Sequence, residues 1–187
     1  MTCNNSLYVD FGPEKCYRIY RDGRLFSNPK GKFLSDKVSR KHQYITNSLK
    51  GYDIPVYRHH LVAKYFITNP RPDIFTDIDH IDRNKTNNKA SNLRYCTSYI
   101  NMLNRESDHI TPDKRCVAHP YQSKLNFLKR FHHLKMCGTE QEAIHLNNRI
   151  RKQLFTKLYN YRTRPMCYLT PAKWSINSKG VRAHWYK

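Results

Sequence analysis

The stretch Ile78 to Arg105 reads IDHIDRNKTNNKASNLRYCTSYINMLNR, and its pattern sets the architecture expected around it. Phe75 to His80 has the apolar spacing of a short strand, Asp82 to Ser91 is a polar loop, and Leu93 to Cys96 makes a second strand. Thr97 or Ser98 can then cap a helix that buries Ile100 and Leu103, with Asn101, Asn104 and Arg105 close together at i, i+3 and i+4. A strand, loop, strand, helix unit is expected. An acid and an imidazole, Asp79 and His80, close its first strand, and Asn101 falls one turn into its helix.

Working outward toward the N-terminus, Cys16 to Tyr20 and Leu25 to Phe26 read as strands divided by RDGR, where Asp22-Gly23 signals a two-residue hairpin of type I′. Asn28-Pro29-Lys30-Gly31 marks another turn. A second hairpin is expected from His42 to Thr46, turning near Asn47 to Gly51 and returning through Ile54 to Arg58. His59 to Ile67 places Leu61, Val62, Tyr65 and Phe66 on one helical face, and Asn69-Pro70 with Pro72 ends that helix. The adjacent His59 and His60 do not share a helix face, so packing or capping is expected of them ahead of a ligand pair.

Toward the C-terminus, Glu106 to Asp113 has linker composition, and Arg115 to His119 and Leu125 to Phe131 read as strands. Gly138 precedes TEQEA, a capping box of Thr139 with Glu142 that opens a helix running to about Tyr159. Its far end is basic, with Arg149, Arg151, Lys152 and Lys157, which suits the helix dipole as well as a phosphate backbone. GVRAHWYK suggests a final strand or arm. The fold class expected is α+β: an N-terminal β-rich module over 1–58, a central unit over 59–108 and a basic α/β region over 109–187, strung as an extended multi-module monomer.

Charge says what such a chain meets. Across 187 residues, 34 Lys and Arg stand against 14 Asp and Glu, a formal +20 at pH 7. The excess is +6 over residues 1–60, +1 over 61–110 and +13 over 111–187. Basic flanks around a nearly neutral centre suit a nucleic-acid binder whose central acids serve something other than adhesion. No run of apolar residues is long enough to span a bilayer, and no stretch reads as a basic amphipathic membrane helix, so no membrane partner is expected. The opening MTCNNSLYVDF lacks the basic and apolar regions of a secretion signal, which points to an intracellular, non-secreted protein. Six scattered cysteines without a C-x-x-C pair read as reduced thiols.

Phosphodiester hydrolysis needs a deprotonated water in line with the scissile bond and relief of charge on the phosphoryl and leaving oxygens. His80 has the acid–base range for the first task. Asp79 and Asn101 offer hard oxygens for the second, suited to one Mg²⁺ or Mn²⁺ that keeps its remaining positions for waters and phosphate. Adjacent strand residues point to opposite faces, so Asp79 and His80 serve one site only where the strand ends or bulges.

The full spacing resembles the HNH nuclease motif of the ββα-metal fold, in the branch found in phage- and intron-type homing endonucleases. There a D-H pair ends the first strand, N-L opens the second about twelve residues later, and a helical N follows about nine residues on; here these are Asp79-His80, Asn92-Leu93 and Asn101. VYRHHLVAKYFITNP is similar to the element preceding the motif, and YRIYRDGRLFS to an N-terminal sheet module. GTEQEA after strands is similar to AP2-type DNA-binding modules. The resemblance implies that Asp79 and Asn101 bind the metal, His80 is the general base and Asn92 orients it, with no small-molecule cofactor. The substrate implied is double-stranded DNA, cut by a monomer. Arg83, Lys85, Lys89, Arg94, Arg105, Lys129, Arg130, Arg149 and Lys152 are the expected DNA contacts. The competing readings are a non-catalytic DNA-binding regulator with the same fold and a restriction or host-attack nuclease.

Overall fold

The computed structural model describes residues 7–40, 43–105, 110, 112, 116–118, 121–127, 130–162 and 173–184. Its chain divides into two compact units, Met1–Asn101 and Met102–Lys187. Helices and small antiparallel sheets are mixed along the chain, an α+β composition. Among the described residues no helix is long and apolar enough to cross a membrane.

The first unit opens with a four-stranded antiparallel sheet of β1 (Tyr8–Phe11), β2 (Tyr17–Tyr20), β3 (Leu25–Ser27) and β4 (Lys32–Phe33), in that order. Phe11, Tyr17, Ile19 and Leu25 alternate inward and are buried, as the period of two demands. The turn between β2 and β3 differs from the expected two-residue type. Ile19 pairs with Leu25, the Gly23 amide donates to Tyr20 O and the Tyr20 amide to Arg24 O, so three residues, Arg21 to Gly23, form the loop. Only Gly23 takes a positive φ, +92°, whereas type I′ needs two such residues in succession.

A bridge between Val38 and Ile45 leads to the second hairpin, β5 (Thr46–Asn47) with β6 (Val56–Tyr57). Helix α1 (Arg58–Phe66) follows and buries Leu61, Val62, Ala63 and Phe66. It stops where Ile67 turns extended, three residues before Pro70. Next comes the ribbon of β7 (Asp77–His80) and β8 (Leu93–Cys96), and then α2 (Ser98–Leu103), capped by the Thr97 hydroxyl, which accepts from the Ile100 amide at 3.1 Å.

One core joins the N-terminal sheet, α1 and β8: Phe11, Tyr17, Ile19 and Leu25 of the sheet pack with Leu49, with Leu61, Val62 and Phe66 of α1, with Ala90 just before β8 and with Leu93 of β8. The expected boundary at 58/59 therefore lies inside a shared core. Arg58 crosses it as a clamp: fully buried, it donates to Asn47 Oδ1 from Nε at 3.1 Å and Nη2 at 2.6 Å, and from Nη1 to Gly23 O at 2.8 Å and to Asp36 at 3.2 Å. A buried guanidinium is tolerable only with such partners.

Gly23 meets the loop between β7 and β8 directly. A Cβ built on it would lie 2.8 Å from Asn88 O, and Ala90 donates its amide to Arg21 O at 2.9 Å. Strain from the left-handed backbone and this overlap together predict that Gly23→Ala costs about 1–3 kcal/mol. The urea midpoint checks it, and an unchanged midpoint would mean that the turn and the loop are not in contact.

The second unit contains hairpin β9 (Tyr121–Phe127) with β10 (Arg130–Cys137), helix α3 (Glu140–Arg162) and hairpin β11 (Lys173–Asn177) with β12 (Gly180–His184). Thr139 Oγ1 accepts from the Glu142 amide at 3.2 Å, the cap the sequence signals. Ala143, Leu146, Ile150, Leu154 and Leu158 form the buried stripe of α3 at helical spacing. The strand expected over Leu125 to Phe131 is instead the end of β9 and the start of β10, with residues 128 and 129 outside the described residues. Of the strand expected over Arg115 to His119, Cys116 to Ala118 is not strand and the rest lies outside the described residues.

Candidate active site

The β7–β8 ribbon holds the candidate residues in strict register: Asp77 opposite Cys96, Ile78 opposite Tyr95, Asp79 opposite Arg94 and His80 opposite Leu93. No bulge interrupts it, so Asp79 and His80 project to opposite faces, and His80 is the last strand residue. Both are buried, at 4% and 5% exposure.

On the Asp79 face, Arg94 donates to Asp79 Oδ2 from Nε at 2.8 Å and from Nη2 at 2.6 Å. Arg94 was expected to meet phosphate; the structure turns it inward, because a carboxylate that buried needs a counter-charge. Cys96 shares the face. Burial pushes its thiol up to about 12, and the charges of Asp79 and Asp77 add to this. Hard carboxylate and amide oxygens beside a protonated thiol fit a hard divalent cation better than a soft one. Among the described residues no group of three or more His, Cys, Asp or Glu side chains could hold a metal. Asp79 and Asn101 each carry a hard oxygen of the kind Mg²⁺ or Mn²⁺ takes, and two such ligands would leave the remaining positions to water or substrate.

Arg94→Ala leaves the Asp79 carboxylate without its counter-charge. Because Arg94 is partly exposed, the loss expected is that of a charged hydrogen bond, about 1.5–3 kcal/mol, below that for a fully buried pair. Added Mg²⁺ should raise the melting temperature of this variant more than that of the wild type, since a bound cation then supplies the missing charge. Equal shifts in the two proteins would count against a cation at Asp79.

On the other face, His80 Nε2 lies 3.2 Å from Asn88 Oδ1. The Asn88 amide donates from Nδ2 to Thr86 O at 3.1 Å, which sets its orientation and makes Oδ1 the acceptor toward His80. Nε2 therefore carries the proton and the basic lone pair falls on Nδ1. Tyr44 stacks on the imidazole at 5.8 Å between ring centroids and 28° between planes, and Lys85 Nζ stands 5.1 Å from the Tyr44 ring. Burial holds His80 below its ordinary range, against the pull of Asn88, Asp79 and Asp82, so the ring is neutral near pH 7.

Asn92, expected to orient His80, makes its hydrogen bonds to the loop. Its Nδ2 donates to Asp82 Oδ1 and to Asn87 O, both at 2.8 Å, and its Oδ1 accepts from the Asp82 amide at 3.0 Å. It ties down the loop, and Asn88, next along that loop, touches His80. Asn88 was not singled out from the sequence; DRNKTNN contains three asparagines, and spacing alone does not say which one turns inward.

The expected DNA contacts are distributed as follows. Arg83 and Lys89 are exposed on the loop, Arg83 with φ of +66°, and Lys85 is half-buried at Tyr44. In the second unit Arg105 and Lys152 are exposed, while Arg149 donates to Ser178 O at 2.8 Å. Lys129 and the side chain of Arg130 lie outside the described residues.

About half of this chain is similar in sequence to HNH endonucleases. It is 31% identical over 97 residues to DNA endonuclease I-HmuI of Bacillus phage SP01, covering 51% of this chain and 55% of that protein. It is also 35% identical over 88 residues to an uncharacterized HNH endonuclease of Acanthamoeba polyphaga mimivirus, covering 46% of this chain and 26% of the relative. A second such mimivirus protein is 32% identical over 79 residues, 42% of either chain. The chain thus spans between about a quarter and just over half the length of these relatives. A solved structure on DNA binding and cleavage by the HNH homing endonuclease I-HmuI aligns with 47% of this chain and 50% of its own, at 32% identity and a TM-score of 0.40. No family model matches the chain.

Proposed function

We propose that this chain is a metal-dependent endonuclease of the HNH homing type that hydrolyses phosphodiester bonds of double-stranded DNA. The observation that carries the reading is the end of β7, where a neutral imidazole with its lone pair on Nδ1 adjoins a buried carboxylate on the opposite face. His80 is the last residue of β7, and a strand end is where an adjacent acid and imidazole can turn toward one phosphate, the base on the side of the attacking water and the acid on the side of the departing 3′ oxygen.

His80 takes the proton of the attacking water on Nδ1 while Asn88 holds Nε2–H. Asn92 fixes the loop that carries Asn88. Asp79 and Asn101 hold the cation, which when bound supplies Lewis-acid relief of charge on the phosphoryl and leaving oxygens. Arg83, Lys85 and Lys89 on the loop neutralise neighbouring phosphates, and the basic second unit, in which an AP2-like role is proposed, adds grip and site preference. The products are 3′-hydroxyl and 5′-phosphate ends, released inside the cell by a monomer on its DNA.

The Arg94 grip on Asp79 also fits a second reading, a regulator that keeps the fold and binds without cutting, with arginine in the cation's stead. Supercoiled plasmids carrying varied inserts, incubated with the full chain in Mg²⁺ or Mn²⁺ and then with a chelator, separate the two. Nicked or linear DNA that disappears on chelation supports the enzyme. DNA that is bound and stays supercoiled in both metals supports the regulator.

A further inference from the structure

His59 is a residue that this mechanism leaves unused. It sits in the first turn of α1 at 5% exposure, and its Nδ1 is buried with no hydrogen-bond partner. Burial, then the charges of His60 and His80, pull its imidazole down to about 3, so the ring is neutral at any working pH. A buried polar nitrogen without a partner costs stability that a phenyl ring in the same place would avoid. The cost is borne beside the proposed base: the His59 and His80 centroids are 5.1 Å apart with planes at 64°, edge to face, and Tyr44, which stacks on His80, is 4.7 Å from His59.

We propose that His59 is a positioning residue for His80, its neutral ring bracing one edge-to-face orientation of the imidazole between Asn88 and Tyr44. The need is specific to histidine. Rotating an imidazole by half a turn about its Cβ–Cγ bond exchanges Nδ1 with Cδ2 and changes its shape little, so packing alone does not choose between the two states; polar neighbours must. Asn88 supplies one such contact at Nε2, and His59 is the second polar ring against it. The role rests on the nuclease reading for its purpose, though its structural content is independent of activity.

The test compares the full chain with His59→Phe, which keeps a ring and removes both nitrogens, and His59→Asn, which restores a polar atom near the Nδ1 position. Long-range ¹H–¹⁵N spectra of the histidine rings, with His80→Ala to assign the signal, should show His80 as one tautomer protonated on Nε2 in the wild type. They should show an averaged pattern in His59→Phe and partial recovery in His59→Asn. His59→Phe should melt no lower than the wild type, yet nick plasmid about tenfold more slowly under single turnover with unchanged DNA affinity. An unchanged His80 pattern in His59→Phe overturns the proposal, as does wild-type cleavage by that variant. If the wild type cleaves nothing, the nuclease reading falls, and the spectra still decide the role of His59.

Discussion

His80→Ala should cut DNA about 10² to 10⁴ times more slowly than the wild type while binding it equally well. The factor is that of a positioned general base. The retained affinity follows from burial: His80 lies beneath Tyr44 with little surface to offer a duplex. Removing the ring opens space under Tyr44, so the comparison is made at a temperature where both proteins are folded by circular dichroism. Single-turnover rates at saturating protein isolate the chemical step. A variant cutting at the wild-type rate would show that the base lies elsewhere, and equal losses in rate and affinity would show that the substitution damaged the fold.

DNA affinity should fall by about 10³ to 10⁵ between about 50 and 200 mM monovalent salt, the response of a protein that neutralises roughly six to ten phosphates. The formal +20 overstates the free cations of the first unit. Arg18 pairs with Asp10, Arg24 with Asp22, Arg71 with Asp73 and Arg94 with Asp79, and Arg58 is buried. The grip is therefore assigned to the loop cations and to residues 111–187, where +13 of the excess lies. Fluorescence anisotropy across a salt series gives the slope, about 0.9 per phosphate contact on logarithmic axes. Affinity insensitive to salt would reject the basic flanks as the means of binding.

The parts of this fold legible in the sequence were those with local causes. Leu93 to Cys96 forms the expected strand, Leu61, Val62 and Phe66 are buried at helical spacing, and Thr139 caps α3. What was not legible depends on residues far apart in the chain. Arg94 looks like a phosphate contact until the register sets it opposite Asp79, and His59 looks like packing until α1 lays it against His80. Asn88 turns toward His80 because Asn92 and Asp82 shape the loop around it, while Gly23 backs the same loop from a turn some sixty-five positions away. Asp79 and His80 were expected to serve one site only where the strand ends or bulges, and β7 does end at His80.

That Asp79 and His80 act at one site is best tested by single-turnover cleavage of plasmid in Mg²⁺ by the wild type, Asp79→Ala, His80→Ala and the double variant. If both groups act on one phosphate, each single variant should lose at least about 10²-fold, and the double variant should be little slower than the worse single one. Losses that multiply in the double variant, or a single variant that cuts as fast as the wild type, would contradict it.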